Sequence, residues 1–212
     1  RVRGAAAFDG TANAAIQVNN VPVDTTPGGC NTVAFWMKWN GAPGKMPFSW
    51  NGSYDLYFSG GYFGFNTGLG DLLGVVTTGF VGQWVHVTAV FPNGVPSASN
   101  AKLYLNGVAQ TLTLRYPAAP ASRTATSSLY LGRYGAGGYP FNGGLDDVRI
   151  YSRELSPAEA APMKRPRTHS LALLTALLAA AFALRIVHLG DVPLRGDEAF
   201  AVRYWADDPA AV

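Results

Sequence analysis

The sequence predicts an all-β fold, an antiparallel β-sandwich of the jelly-roll type, followed by one transmembrane α-helix and a short C-terminal helical segment. Short segments that alternate apolar and polar residues recur between turn signals over the first 160 residues, which is typical of a sandwich. Residues 1–161 also contain 23 of the 25 glycines and all 11 asparagines. Residues 170–189 form an apolar run of about twenty residues, the length of a membrane-spanning helix.

The composition excludes several classes of protein. Of the 212 residues, 48% are hydrophobic and 14% are charged, whereas intrinsic disorder needs low hydrophobicity and high charge. The net charge is +3, but the 16 Lys and Arg residues form no basic stripe, so we expect no nucleic-acid partner. Cys30 is the single cysteine, which excludes an intramolecular disulfide and a cysteine-based metal cage.

Five segments give the clearest strand pattern: 33–39, 84–91, 102–105, 128–131 and 145–151. Within 84–91, alternation places four apolar residues on one face, which predicts a strand with that face in the core: Val85, Val87, Ala89 and Phe91. Asn106-Gly107 predicts a type I′ hairpin turn, and Asn51-Gly52 predicts another. Ser156 is expected to cap a helical turn, with Glu159 at the third helical position.

The apolar run at 170–189 predicts the membrane helix, since it lacks the polar stripe of a buried soluble helix, which is the alternative. Three basic residues precede it (Lys164, Arg165 and Arg167), and the positive-inside rule places that end in the cytoplasm. Residues 162–169 are then a basic linker. The chain begins at Arg1 without a methionine or a signal peptide, so we expect the natural N-terminus to lie upstream.

Several motifs in order make the first part recognisable. They are Ala7-Phe8-Asp9-Gly10, 33–38, 83–87, 103–107 and 144–151, the last followed by 154–159. Together they resemble the laminin-G-like, concanavalin A-like jelly-roll family over about residues 4–161. The resemblance implies a β-sandwich usually found outside the cell, which binds carbohydrate or a surface protein and commonly holds a calcium ion.

The resemblance places Asp9 and Asp146 near such a Ca²⁺ site. From the residues themselves, Asp146 shares its parity with Val148 and Ile150, which predicts that it faces the core. A carboxylate there needs a partner, because an unpaired buried charge is costly. That partner is a calcium ion, backbone N–H groups or Arg149.

Aromatic residues in the glycine-rich loops are candidates for sugar binding, because flat aromatic rings stack on pyranose rings. The strongest are Tyr134 and Tyr139, since the Gly135-Ala136-Gly137-Gly138 segment between them is not compatible with a strand interior. The alternative is a role in the core or in cross-strand pairs. The other candidates are Tyr54, Tyr57, Tyr62 and Phe141.

Residues 163–212 resemble a different family. An arginine at the end of the apolar run, then Leu-Gly-x-x-Pro-Leu and Asp-Glu-Ala, is similar to the first span and first external loop of GT-C membrane glycosyltransferases that use lipid-linked phosphosugars. This resemblance implies that residues 190–212 begin that loop. It also implies that, within a complete glycosyltransferase, Asp197 is a catalytic base and Glu198 its support; the alternative is that the pair opens an interfacial helix.

Two functions follow from these two parts. The first is a glycan- or protein-binding module attached to a membrane helix, without catalysis by this chain. The second is the N-terminal part of a glycosyltransferase with a lipid-linked sugar donor and an appended lectin-like domain. The family places the sandwich outside the cytoplasm, whereas the basic linker places it inside. This conflict favours a lost gene boundary between two proteins.

Overall fold

A computed structural model describes residues 4–52 and 54–162, and these residues form an antiparallel β-sandwich. The predicted all-β fold is therefore confirmed. Within the described ranges there are thirteen strands: β1 (Ala6–Asp9), β2 (Ile16–Val18), β3 (Cys30–Trp39), β4 (Lys45–Trp50), β5 (Tyr54–Ser59), β6 (Tyr62–Asn66), β7 (Leu73–Val76), β8 (Trp84–Pro92), β9 (Lys102–Leu105), β10 (Val108–Ala109), β11 (Thr113–Leu114), β12 (Leu129–Leu131) and β13 (Asn142–Tyr151).

The strands form two sheets that face each other across one core. Sheet A has six strands in the order β1-β13-β3-β8-β9-β10, and sheet B has seven in the order β11-β7-β6-β5-β4-β12-β2. All strand pairs within both sheets are antiparallel. Because several neighbours in a sheet are distant in the chain, the fold brings loops from different parts of the sequence together.

The core follows the period-two alternation of the strands. The four apolar residues predicted to share a face of β8 all lie in the core cluster. Facing them, β5 contributes Tyr54, Leu56 and Phe58, none of which is more than 1% exposed. Phe91 joins the two sheets, because its ring lies 5.7 Å from Phe48 and 4.9 Å from Phe65 between centroids. Each such aromatic pair contributes about 0.5–1.5 kcal/mol beyond the buried area.

The two predicted hairpins form, but only one has the predicted turn. Asn106 and Gly107 have φ of 52° and 81°, and Leu105 pairs with Val108, as a two-residue type I′ turn requires. At the other hairpin Trp50 pairs with Tyr54, so the loop contains three residues instead of two. Gly52 has a φ of 108° there, whereas Asn51 is not in the left-handed region.

The segment after β13 packs across the outer face of sheet A. The Thr32 hydroxyl donates to the Arg153 carbonyl at 2.6 Å, and the Thr88 hydroxyl donates to the Ala160 carbonyl at 3.1 Å. Ser156 and Glu159 make the predicted reciprocal capping bonds, with distances of 2.9 Å and 3.4 Å between backbone nitrogen and side-chain oxygen. They close a single turn at residues 157–160 and not a helix.

The predicted membrane helix at 170–189 lies outside the described residues, as do most of the basic linker and residues 190–212. Within residues 4–52 and 54–162, no helix is long and apolar enough to cross a membrane.

Candidate functional site

The candidate site lies on the outer face of sheet B, directed away from the core. Because alternate residues of β5 fill the core, Asp55 and Tyr57 project to the other side. In the strand register Asp55 lies between Ser49 of β4 and Asn66 of β6. This part of the sheet therefore presents a row of polar side chains beside a tyrosine.

A cavity of about 240 Å³ lies at this row. Tyr134 and Tyr139, predicted as ligand-binding residues from the sequence, both line it. The structure thus brings these two residues together at one site with strand residues from β4, β5 and β6. The complete lining consists of Met46, Asp55, Tyr57, Asn66, Gly68, Gly70, Tyr134 and Tyr139.

The loop between β12 and β13 supplies one wall of the cavity. The loop starts at Gly132, where φ is +86° and an added Cβ would lie 2.2 Å from the Phe8 ring, so only glycine fits. The Phe141 N–H donates to the Gly132 carbonyl at 2.7 Å, and the Met46 N–H donates to the Tyr139 carbonyl at 3.0 Å. These bonds hold the loop against the edge of the site.

Tyr139 adopts a backbone conformation that is unfavourable for an aromatic residue. Its φ is +50°, in the left-handed region, and the residue is 47% exposed. Such a residue costs of order 1–3 kcal/mol, and strain of this kind concentrates at ligand clamps and active sites. The strain is therefore consistent with a ring whose position serves a ligand rather than the core.

Three tyrosine rings form the aromatic part of the cavity. The Tyr139 ring lies 5.4 Å from the Tyr57 ring at an interplanar angle of 78°. It lies 6.3 Å from the Tyr134 ring at 72°. Because both neighbouring rings are nearly perpendicular to Tyr139, the three side chains present differently oriented faces to one small volume.

The opposite wall is the tight loop from Asn66 to Asp71. The buried Asp71 carboxylate accepts the backbone N–H of Thr67 at 3.0 Å and its hydroxyl at 2.8 Å. Arg123 donates to the Thr67 carbonyl at 2.6 Å from outside the loop. The Asn66 side-chain oxygen accepts the Gly68 N–H, which leaves its NH₂ group without a partner among the described residues. The wall is thus rigid and retains a hydrogen-bond donor.

Asp55 lies at the floor of the cavity, and the sequence analysis missed it. Its side chain is fully buried, and neither carboxyl oxygen has a hydrogen-bond partner among the described residues. A signal for it existed, since an acidic residue interrupts an otherwise aromatic and apolar strand in the segment Tyr54-Asp55-Leu56-Tyr57-Phe58. An unpartnered buried carboxyl group is costly, and such groups concentrate at functional sites.

The protein environment makes the Asp55 carboxyl group a weaker acid than an ordinary aspartic acid side chain. Burial is the largest cause and raises its pKa to about 7 from 3.8. The Ser49 hydroxyl, which is close to the carboxyl group although it donates to the Trp50 carbonyl at 3.1 Å, and the positive charge of Arg123 lower the pKa in part, whereas the negative charge of Asp71 raises it further. Near neutral pH the carboxyl group therefore exchanges a proton readily and can donate or accept a hydrogen bond.

The two residues predicted to hold calcium are not brought together. Asp9 is exposed and pairs with Asn142 at the start of β13. Asp146 lies four residues further along β13, which is roughly 13 Å at a rise of about 3.3 Å per residue. In the described part of the chain no group of three or more His, Cys, Asp or Glu residues could hold a metal ion. Calcium binding stays a prediction.

The expected orientation of Asp146 is wrong. A β-bulge between Asp146 and Arg149 interrupts the alternation, and Asp147 within it has a φ of +51°. Leu145 and Val148 both pack on the core, so Asp146 lies on the opposite face. Its carboxylate accepts the Asp147 N–H at 2.9 Å, and Arg149 pairs with Asp147 at 2.9 Å.

Asp197 and Glu198, predicted as a catalytic pair, lie outside the described residues and stay a prediction.

The comparison with protein families now defines the class of this chain. The model described as the concanavalin A-like lectin/glucanases superfamily matches residues 9–161. The chain therefore belongs to the concanavalin A-like lectin/glucanase superfamily, and the laminin-G-like resemblance of its first part is confirmed. Comparison with curated proteins gives no significant match.

Solved structures share the sandwich at low sequence identity. A candidate carbohydrate binding protein from Bacteroides ovatus has a TM-score of 0.52 at 16% identity, covering 73% of this chain and 45% of that one. The botulinum neurotoxin serotype G binding domain has a TM-score of 0.51 at 12% identity, covering 73% and 40%. This chain thus spans less than half of either protein. Domain 4 of the Geobacillus stearothermophilus arabinanase AbnA has a TM-score of 0.48 at 21% identity, covering 74% of both chains.

The raised pKa of Asp55 predicts how stability depends on pH. Between about pH 4 and pH 7 the unfolded chain loses the Asp55 proton while the folded chain keeps it, so the folded state loses stability as pH rises. Asp55→Asn removes this effect. The free energy of unfolding of the variant, relative to the unsubstituted protein, should increase by up to roughly 4 kcal/mol from pH 4 to pH 8 in urea denaturation.

Asp9→Asn is the control for this prediction. Hydrogen bonds from Thr11 lower the pKa of the exposed Asp9 below 3.8, so the effect of its ionisation on stability is confined to acid below about pH 4, and Asp9→Asn should leave the stability difference nearly constant between pH 4 and pH 8. A stability difference between Asp55→Asn and the unsubstituted protein that is constant with pH would contradict the assignment.

Proposed function

We propose that the sandwich is a carbohydrate-binding module and that the tyrosine-lined cavity over β5 is its sugar site. One observation carries the proposal: a fully buried, unpartnered carboxyl group, Asp55, lies at the floor of a cavity walled by three tyrosines. Small-molecule sites are usually lined by apolar and aromatic side chains, with a few fixed polar groups that orient the ligand.

The chemistry of the cavity fits a sugar ring. Tyr134 and Tyr139 provide faces against which the C–H side of a pyranose packs, and Tyr139 is partly open to solvent. Asp55 supplies acceptor oxygens and Asn66 supplies an amide donor from the neighbouring strand position. Adjacent sugar hydroxyls need such a pair of partners, since each hydroxyl both donates and accepts.

The size of the cavity and one structural neighbour support this class of ligand. A volume of about 240 Å³ lies just below the 300–1,000 Å³ typical of drug-sized ligands, so it suits a single sugar unit of a longer chain. The Bacteroides ovatus protein that shares the fold is described as a candidate carbohydrate binding protein. Catalysis is not part of the proposal for the sandwich.

Substitution of Tyr139 tests the site. The segment 1–162 can be prepared separately, because the described strands and core lie within it. A glycan array identifies a ligand, and titration calorimetry then measures its affinity. Tyr139→Ala should weaken binding by roughly tenfold or more, because aromatic anchors in such sites commonly contribute over 1 kcal/mol.

Tyr62→Ala is the matched control, since Tyr62 lies on the same sheet but outside the cavity lining. Its affinity should equal that of the unsubstituted segment. Absence of any glycan ligand, or an affinity unchanged by Tyr139→Ala, would overturn the proposal.

We also propose, from the sequence of residues 170–189, that a membrane helix follows the sandwich. Membrane fractionation of the 212-residue chain should recover it in the detergent-extractable membrane pellet, whereas the segment 1–162 should remain in the supernatant. Recovery of both in the supernatant would contradict the proposal. The glycosyltransferase role of Asp197 and Glu198, with a lipid-linked sugar donor, remains a separate prediction of the sequence.

A further inference from the structure

The charged groups in and near the cavity distinguish cationic from neutral and anionic sugars. None of the residues that line it carries a positive charge, and Asp55 is the one carboxyl group among them. Two further charged groups influence Asp55, namely Asp71 and Arg123. Arg123 donates to the Thr67 carbonyl, and the Asp71 oxygens accept the backbone N–H groups of Thr67 and Leu69. The lining thus contains one carboxyl group and no cation, and the nearby guanidinium is already engaged, so the cavity favours a cation when Asp55 is ionised.

The tyrosine rings favour the same kind of ligand. A cation within about 6 Å of an aromatic face is attracted by the negative face of the ring, most strongly where water is excluded. Three tyrosine rings, two of them steeply inclined to Tyr139, are suited to surround a compact cationic group. Such a group would also pair with the buried Asp55 carboxylate, whose oxygens have no hydrogen-bond partner among the described residues.

We propose that the cavity binds a sugar unit that carries a free amino group, with its ammonium directed at Asp55 between Tyr57, Tyr134 and Tyr139. This inference rests on the proposed function and names the class of sugar that the site prefers. The Asn66 amide and the backbone of Gly68 and Gly70 also line the cavity and would be available to the ring hydroxyls. A lysine side chain would satisfy Asp55 equally but has no hydroxyls for these polar groups, so an amino sugar fits the whole lining better.

The ionisation of Asp55 supports the inference. In the empty cavity burial raises the pKa of this carboxyl group to about 7, and a bound ammonium would stabilise the carboxylate and lower the pKa. Binding of an amino sugar is therefore coupled to release of the Asp55 proton below neutral pH, whereas binding of a neutral sugar requires no such release.

A matched pair of ligands tests the inference directly. The trimer of β-1,4-linked glucosamine and its N-acetylated counterpart differ in the charge and acetylation of the amino groups. Titration calorimetry of the segment 1–162 near pH 7 should show that the glucosamine trimer binds at least roughly tenfold more tightly, the usual scale of a charge-assisted contact. Asp55→Asn should abolish this preference, and Asp147→Asn on sheet A should keep it.

Each outcome distinguishes the inference from the proposed function. If the N-acetylated trimer or other neutral glycans bind equally or more tightly, and binding depends on Tyr139, the preference for an amino sugar is wrong and the sugar site stands. If no carbohydrate binds, both fail. If a capped lysine peptide binds as tightly as the glucosamine trimer in an Asp55-dependent manner, the assignment to a sugar is wrong. The ligand comparison uses the unsubstituted segment, so it remains decisive even if Asp55→Asn does not fold.

Discussion

The alternation of side chains along β5 is the constraint on which the site depends. Tyr54, Leu56 and Phe58 occupy the core side of this strand, and the aromatic contacts of the core fix its register and its rotation. Since successive residues of a strand point to opposite faces, the same packing directs Asp55 and Tyr57 to the outer face. A shift of one residue would bury the tyrosine and expose the core aromatics. The position of the proposed sugar site is thus set by the core and not by the ligand.

The loop after β6 and the loop before β13 form the other walls of the cavity. Each is held in place by hydrogen bonds within the protein and not by a ligand. Hydrogen bonds to Asp71 close the loop after β6, and backbone bonds near Gly132 and Tyr139 fix the loop before β13. The strained backbone of Tyr139 and the unpartnered carboxyl group of Asp55 are both costs to the folded state, and they meet at the same cavity. In a domain whose stability is a small difference between large terms, two adjacent costs support the proposed function of the cavity.

The sandwich could be predicted because the sequence signals for its strands and turns lie within a few residues of one another. Alternation along β8, the left-handed pair Asn106-Gly107 and the capping pair Ser156 and Glu159 act within a few residues, and the structure contains all three. Asp55 could not be assigned to the site, because the loop that carries Tyr134 and Tyr139 lies about 80 residues further along the chain. Asp146 shows another limit: a bulge changes the parity of a strand, and no glycine or proline in Asp146-Asp147-Val148-Arg149 indicates it.

The position of the sugar site is the central claim, and backbone amide chemical shifts of the isotope-labelled segment 1–162 test it most directly. Titration with the glucosamine trimer should shift the amide signals of residues 66–71 and 134–139, which border the cavity, and leave those of β8 and β9 in sheet A unchanged. Shifts confined to sheet A or to the edge formed by β1 and β13 would place the ligand elsewhere. An unchanged spectrum with both this trimer and the glycans identified on an array would contradict the account of the cavity as a sugar site.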